Sequence, residues 1–161
     1  MQKLFFAVIA FGALVGFLAP SGPDAEPPKV HAASSSDEDP EEPRETVLER
    51  EEDGHFYAHA EVNGELVRFL VDTGATGIAL TREDAERVGI EVDPARFQIV
   101  GSGASGPVRG QMVELDTVSV DGKAAHELAG AVLDGLEISL LGQNYLGQYS
   151  MVVRGDTMRI E

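Results

Sequence analysis

The 161-residue chain contains no cysteine. That absence removes disulfide frameworks, thiolate zinc sites, thiol nucleophiles and a lipidated cysteine together. Tryptophan is also missing and aromatics make up only 6% of the residues, so no platform for stacking nucleobases is encoded. Bases are scarce: 12 lysines and arginines stand against 28 aspartates and glutamates, a formal charge of −16. Such a surface repels a phosphate backbone, which argues against nucleic acid as a partner. No internal repeat is visible, and the length predicts one domain, at most with a tail.

What is present divides into three. Residues 4–19 (LFFAVIAFGALVGFLA) are apolar throughout and follow a single cation, Lys3. As a helix this run spans about 24 Å at about 1.5 Å per residue, short of a hydrocarbon core of about 30 Å. Residues 1–20 are therefore read as a signal-anchor or signal peptide. Val30-His31-Ala32 offers small residues for cleavage, but it lies beyond Pro20, Pro23, Pro27 and Pro28, which favours an uncleaved anchor. The expectation is an extracytoplasmic protein on the periplasmic side, anchored in the inner membrane, or secreted if the segment is removed. Residues 21–53 hold 12 acids against Lys29, Arg44 and Arg50, with five prolines and the run Ser34-Ser35-Ser36-Asp37-Glu38-Asp39-Pro40. Low hydrophobicity and self-repulsion predict a disordered acidic spacer.

Residues 54–161 carry the remaining pattern, with apolar residues recurring at period two between glycine-containing turns. Extended runs are predicted over residues 55–62, 65–71, 77–80, 97–100, 108–120, 123–133, 138–141, 149–154 and 157–161. Asn63-Gly64 and Asp121-Gly122 are hairpin pairs. Thr81 is placed as the N-cap of a helix over residues 82–88 that Gly89 closes, and a second short helix is predicted over 143–146. Short strands with one or two brief helices predict a mostly-β domain, closed or sandwiched.

The most informative stretch is Phe69-Leu70-Val71-Asp72-Thr73-Gly74-Ala75-Thr76. An apolar strand delivers a carboxylate directly into a tight turn, and a buried lone carboxylate is costly unless it is paired or put to use. Gly74 permits close backbone approach, and Thr73 and Thr76 supply hydroxyls. Alone, the tripeptide Asp72-Thr73-Gly74 is equally a surface turn whose aspartate caps its own backbone.

The context, with a further strand and a capped helix following, resembles the active-site segment of retropepsin-like aspartic proteases. Ile138-Ser139-Leu140-Leu141-Gly142-Gln143-Asn144-Tyr145-Leu146 resembles that family's second signature, which passes behind the catalytic loop. Gly101, Ser102, Gly103, Ala104, Ser105 and Gly106 sit where the family places its flap hairpin. The likeness is closest to the single-domain, membrane-anchored bacterial branch and covers most of residues 54–161. It implies a small closed β-barrel, one lobe of a pepsin-type enzyme, with Asp72 catalytic and Thr73, Gly74, Ala75 and Thr76 supporting the loop. Leu140, Leu141 and Gly142 are its second signature. Gln143 stands where viral members carry an arginine.

The implied activity is aspartic endoproteolysis of polypeptide, without metal or other cofactor. This domain holds one Asp-Thr-Gly, so the second carboxylate must come from an identical subunit across a twofold axis. The terminal run over residues 157–161, with Met158 and Ile160 on one face, is the expected dimer strand. The alternatives are the same fold as a non-catalytic peptide-binding or assembly module, and a monomer whose Asp-Thr-Gly is only a turn.

Other signals are weaker. Gly101-Ser102-Gly103-Ala104-Ser105-Gly106 matches G-x-G-x-x-G, but strand-like sequence rather than a helix follows. His55 and His59 share a strand face without a third ligand at metal spacing. His126 has no nucleophile elbow to serve.

Overall fold

The computed structural model describes residues 42–103 and 106–161. Residues 1–20, the expected signal segment, lie outside the described residues, as does most of the spacer. Among the described residues no helix is long and apolar enough to cross a membrane. The elements are β1 (Thr46–Glu49), β2 (Tyr57–Val62), β3 (Glu65–Val71), β4 (Ile78–Leu80), α1 (Arg82–Arg87), β5 (Gln98–Gly103) and β6 (Gly106–Val120). There follow β7 (Lys123–Leu133), β8 (Ser139–Leu141), α2 (Gln143–Leu146), β9 (Met151–Arg154) and β10 (Thr157–Ile160).

Turn chemistry sets the hairpins. Asn63 and Gly64 take φ of 52° and 87°, the paired left-handed conformation that joins β2 to β3 in two residues. Asp121 and Gly122 do the same between β6 and β7, at 48° and 77°. Alternation along β2 and β3 then turns Ala58, Ala60, Val62, Val67 and Phe69 inward, all buried. Thr81 caps α1, its hydroxyl oxygen accepting from the Asp84 N–H at 3.0 Å. The strands run in the order β2-β3-β8-β4-β7-β6, and β2 returns to β6 through Glu61↔Ser119 and Val62↔Val118. This is the expected mostly-β architecture, a closed six-stranded barrel with β5 extending outward from β6.

A second sheet, in the order β1-β10-β9, corrects two expectations. The folded unit does not begin at Gly54: β1 lies inside the stretch assigned to the spacer and pairs with β10, Thr46↔Ile160 to Glu49↔Thr157. Composition hid this strand because it is short and acid-flanked, and its partner is at the far end of the chain. A buried side chain holds it. Lys123, 5% exposed, donates to the Arg44 carbonyl and to Thr46 Oγ1, which in turn donates to Asp121 Oδ2 at 2.6 Å. Burial lowers the Lys123 pKa from its ordinary value, opposed by the Asp121 carboxylate. The second correction concerns β10. Both its neighbours come from its own chain, and Met158 and Ile160 pack into its own core, so it is not available as the dimer strand.

Strand β8 is the feature that positions the site. It lies between β3 and β4, parallel to the first (Leu70↔Leu140, Val71↔Leu141) and antiparallel to the second (Ala79↔Leu140). The loop joining β3 to β4 must therefore cross the end of β8, where the chain enters α2. Only glycine fits at that crossing: a Cβ on Gly142 would lie 2.2 Å from the Gly77 carbonyl oxygen and 2.9 Å from that of Ala75. Helix α2 is pinned beneath by Tyr145, fully buried, whose hydroxyl donates to the Lys123 carbonyl at 2.6 Å and accepts from the Val120 N–H at 3.1 Å.

Two outcomes follow. Gly142→Ala drives a methyl into rigid backbone, and a loss of about 1–3 kcal/mol or more is expected in urea titration. Tyr145→Phe strands a buried donor and a buried acceptor and costs about 2 kcal/mol. Burial raises the Tyr145 pKa above the ordinary 10 of a phenol. Its contribution is thus fully present below pH 10 and falls as the unfolded chain ionises above it, so melting temperatures of Tyr145→Phe should converge on the parent's as pH rises past 10.

Candidate active site

Asp72 follows β3 directly and is half-buried at the barrel's end. Its own N–H donates to the Leu141 carbonyl at 3.1 Å, and the preceding Val71 N–H donates to Phe56 at 3.0 Å. The strand thus keeps its ladder up to the carboxylate and then turns. Asp72 Oδ1 accepts from the Gly74 N–H at 2.9 Å, and the Ala75 N–H reaches the Asp72 carbonyl at 3.2 Å. The carboxylate therefore caps its own turn, as a plain surface aspartate would. Among the described residues its second oxygen, Oδ2, accepts no hydrogen bond. A Cβ on Gly74 would sit 3.2 Å from Asp72 Oδ1, so the glycine also leaves the carboxylate room.

The second signature holds this turn from behind. The Gln143 and Asn144 N–H groups donate to the carbonyls of Ala75 and Thr76 at 2.9 and 3.1 Å. Their side chains extend the grip in opposite directions, Gln143 Nε2 to the Thr73 carbonyl at 3.1 Å and Asn144 Nδ2 to Ala129 of β7 at 2.7 Å. Asn144 Oδ1 is buried and has no hydrogen-bond partner among the described residues. Leu141 and Gly142 are buried and Leu140 half-buried, consistent with a segment that carries the loop on its back. Thr73 and Thr76 are exposed, and among the described residues neither hydroxyl makes a hydrogen bond.

Sequence reading put weight on the threonine hydroxyls and treated Gln143 as a departure. Within one chain the Gln143 and Asn144 N–H groups and the Gln143 amide hold the loop, and the Asn144 amide ties them to β7. The signal was there, since Gln143 and Asn144 directly follow the only residue that fits the crossing, but their carbonyl targets are visible only in three dimensions.

The glycine-rich segment forms the β5–β6 hairpin. Gly101 pairs with Val108, Ser102 with Pro107 and Gly103 with Gly106. Ala104 and Ser105 at its tip lie outside the described residues. Strand β6 follows at once, so these glycines open no helix toward a phosphate. His55 and His59 are both exposed, His55 Nδ1 lying 3.5 Å from Asp53 Oδ1. Asp53 also accepts from the Tyr57 hydroxyl at 2.5 Å, which raises the Tyr57 pKa and lowers that of Asp53.

Comparison with known proteins agrees with this geometry. The profile of the gag-polyprotein putative aspartyl protease family matches residues 58–148. An uncharacterised protein of Rickettsia prowazekii is 37% identical over 106 residues, 65% of this chain and 46% of the relative. A second, encoded in the cobV 5′ region of a Sinorhizobium species, is 36% identical over 126 residues, covering 76% of this chain and 54% of the relative. The chain thus spans about half the length of the curated relatives it matches. The crystal structure of a retropepsin-like aspartic protease from Rickettsia conorii superposes with a TM-score of 0.62 at 34% identity, over 73% of this chain and 90% of that one. With both signatures meeting at the β8 crossing, the chain belongs to the gag-polyprotein putative aspartyl protease family and has the retropepsin-like fold.

Proposed function

We propose that the protein is an aspartic endopeptidase that works as a homodimer, with Asp72 as its catalytic residue. The observation that carries this reading is the state of that side chain. One carboxylate oxygen is fixed by Gly74, the other has no hydrogen-bond partner among the described residues, and the loop beneath is held by three hydrogen bonds from Gln143 and Asn144, with a fourth tying Asn144 to β7. A surface cap needs no such brace. Preorganisation of this kind serves a group that must meet another at defined distance.

Two carboxylates about 3 Å apart cannot both ionise and so share a proton. The ionised one takes a proton from water as the water oxygen attacks the scissile carbonyl carbon, and the protonated one donates to the carbonyl oxygen. The resulting tetrahedral diol collapses as its C–N bond breaks, with a proton passing to the leaving nitrogen. No covalent bond to the enzyme forms. Thr73, Gly74, Ala75 and Thr76 keep the carboxylate in register. The hairpin residues Gly101, Ser102, Gly103 and Gly106 supply an exposed strand edge against which an extended polypeptide can lie by backbone hydrogen bonding. The apolar residues 4–19 support an extracytoplasmic site of action beside a membrane, where tethering raises the local concentration of subunits.

In a homodimer Asp72→Asn replaces both carboxylates and so abolishes the shared proton, while the amide oxygen can keep the turn's Gly74 contact. Peptide-library cleavage read by mass spectrometry should fall at least about a hundredfold, with an unchanged melting temperature. Equal cleavage by this variant sinks the proposal. A dimer that retains peptide but turns none over between about pH 4 and 7 points to the binding-module alternative instead.

A further inference from the structure

Strand β6 is the longest in the barrel, and the strands along its outer edge leave a gap. Strand β5 accompanies it as far as Gln98↔Gly110, and β2 takes up the same edge only at Val62↔Val118. Asn63 serves the end nearer β2. Its N–H donates to the Thr117 carbonyl at 3.0 Å, and its Oδ1 accepts from the Asp116 and Thr117 N–H groups at 3.0 and 3.3 Å. Residues 111–115 have no strand beside them on that edge.

Hydrogen-bond alternation shows which backbone groups face the gap. The Asp134 N–H donates to the Arg109 carbonyl at 3.0 Å, so odd positions in this half of β6 point toward β7 and even positions away from it. The β5 pairing agrees, since Pro107, with no N–H to give, falls at an odd position. Met112 and Glu114 therefore turn their N–H and C=O groups into the gap. Among the described residues no hydrogen bond satisfies these four groups. Farther along, Glu127 of β7 takes a φ of 52° and the phase reverses, which is why Thr117, an odd position, faces Asn63.

The gap is also a cleft. Its far wall is the segment between α1 and β5, and one buried side chain fixes that wall. Gln111, 2% exposed, accepts from the Asp93 N–H and donates to the Glu91 carbonyl, both at 2.9 Å. Asp93 in turn caps the 3-10 turn over Pro94–Arg96 through the Ala95 N–H. The space between is about 430 Å3. Ile90 and Val113 line it on the core side, and Glu91, Arg96, Met112 and Glu114 are its exposed rim. The rim carries two acids against one base, on a chain of formal charge −16.

We propose that this gap docks an extended polypeptide segment of alternating basic and apolar residues, added to β6 as a strand. The site shares no residue with the Asp72 loop, the second signature or the glycine-rich hairpin tip. Its use to hold a length of substrate away from the scissile bond rests on the proposed function; the binding itself does not. Register sets the chemistry. Residues that exchange bonds with Met112 and Glu114 put their side chains on the same exposed face. There a lysine lays its stem along Met112 and brings its ammonium to the acids of the rim. The residue between them points to the core side, over Val113 and Ile90, and is apolar.

The probe is a fluorescein-labelled hexapeptide of alternating lysine and valine. It is titrated by anisotropy, in about 0.15 M salt, into the 161-residue Asp72→Asn chain so that cleavage does not intrude. Saturable binding is expected, weakened about tenfold or more by Glu114→Lys at an unchanged melting temperature. Met112→Pro deletes an N–H that the chain itself does not use, and should weaken binding by a similar factor. Methyl groups on the peptide nitrogens read the register. On the lysines they remove the bonds to Met112 and Glu114 and should cost about ten- to a hundredfold. On the valines, whose N–H groups point away from β6, they should leave binding intact. Equal loss from both overturns the assignment, as does equal binding of a glutamate–valine hexapeptide or of a peptide of residues 21–41. Binding indifferent to both Glu114→Lys and Met112→Pro overturns it too. Self-association in sedimentation equilibrium that Met112→Pro abolishes, with no hexapeptide bound, gives the gap to a second copy instead. Peptide-library cleavage by the parent decides the protease reading separately. Cutting without hexapeptide binding removes this site alone, and binding without cutting leaves this site and removes that reading.

Discussion

At the end of β8 the backbone of one segment lies directly against the backbone of another, with no side chain between them. Gly142 occupies that contact because a Cβ there would overlap the Gly77 carbonyl. Everything about the site depends on this closeness. It lets the Gln143 and Asn144 N–H groups reach the carbonyls of Ala75 and Thr76, and it lets β8 separate β3 from β4 while staying bonded to both. The loop that carries Asp72 is thereby braced through the carbonyls of Thr73, Ala75 and Thr76, and among the described residues only Oδ2 of its carboxylate is left without a hydrogen bond. Substituting ion pairs for this arrangement is unnecessary: the amide of Gln143 reaches the Thr73 carbonyl without charge, so the brace is insensitive to salt.

The start and end of the folded unit are held by a different kind of contact. Lys123 is buried with its ammonium satisfied by the Arg44 carbonyl and the Thr46 hydroxyl, and Asp121 completes the network. A buried cation is costly when a partner is lost, so these bonds select one position for β1 rather than merely strengthening it. Tyr145 joins the two systems, since its hydroxyl bonds the carbonyl of the same Lys123 while its helix supports the loop. The β6–β7 turn is thus a common anchor for the terminal sheet and for the site.

Local signals wrote most of the barrel plainly. The predicted run over residues 65–71 is β3 without change, the second helix coincides with α2, and Thr81 caps α1 as its spacing with Asp84 implied. Asn63-Gly64 and Asp121-Gly122 demanded their hairpins because only such residues take paired positive φ readily. What stayed illegible depends on distant partners. Strand β1 reads as spacer because its four residues gain their stability from β10 and Lys123 and little from local propensity. The terminal strand reads as an open edge for the same reason: nothing local says that both its sides are taken. At the site, the Asp72 turn and the Gly142 signature were legible as motifs, whereas the roles of the Gln143 and Asn144 side chains required knowing which carbonyls faced them.

A lone carboxylate is incomplete for the proposed chemistry, and the proposed twofold symmetry would complete it. That economy carries a constraint. In the proposed homodimer, two subunits with the same sequence would place chemically identical carboxylates on the axis, yet peptide hydrolysis by such a pair needs one to act as acid and the other as base. The sequence cannot encode that difference, because any residue that favours ionisation on one side favours it equally on the other. The asymmetry must arise from the carboxylates themselves, since loss of the first proton makes loss of the second harder. Proximity is then the source of function as well as its geometry. A brace that fixes the Asp72 turn matters for this reason, because the coupling between two charges weakens with every increment of distance. The rigid crossing at Gly142 and the proposed meeting of two subunits are in this sense parts of one requirement.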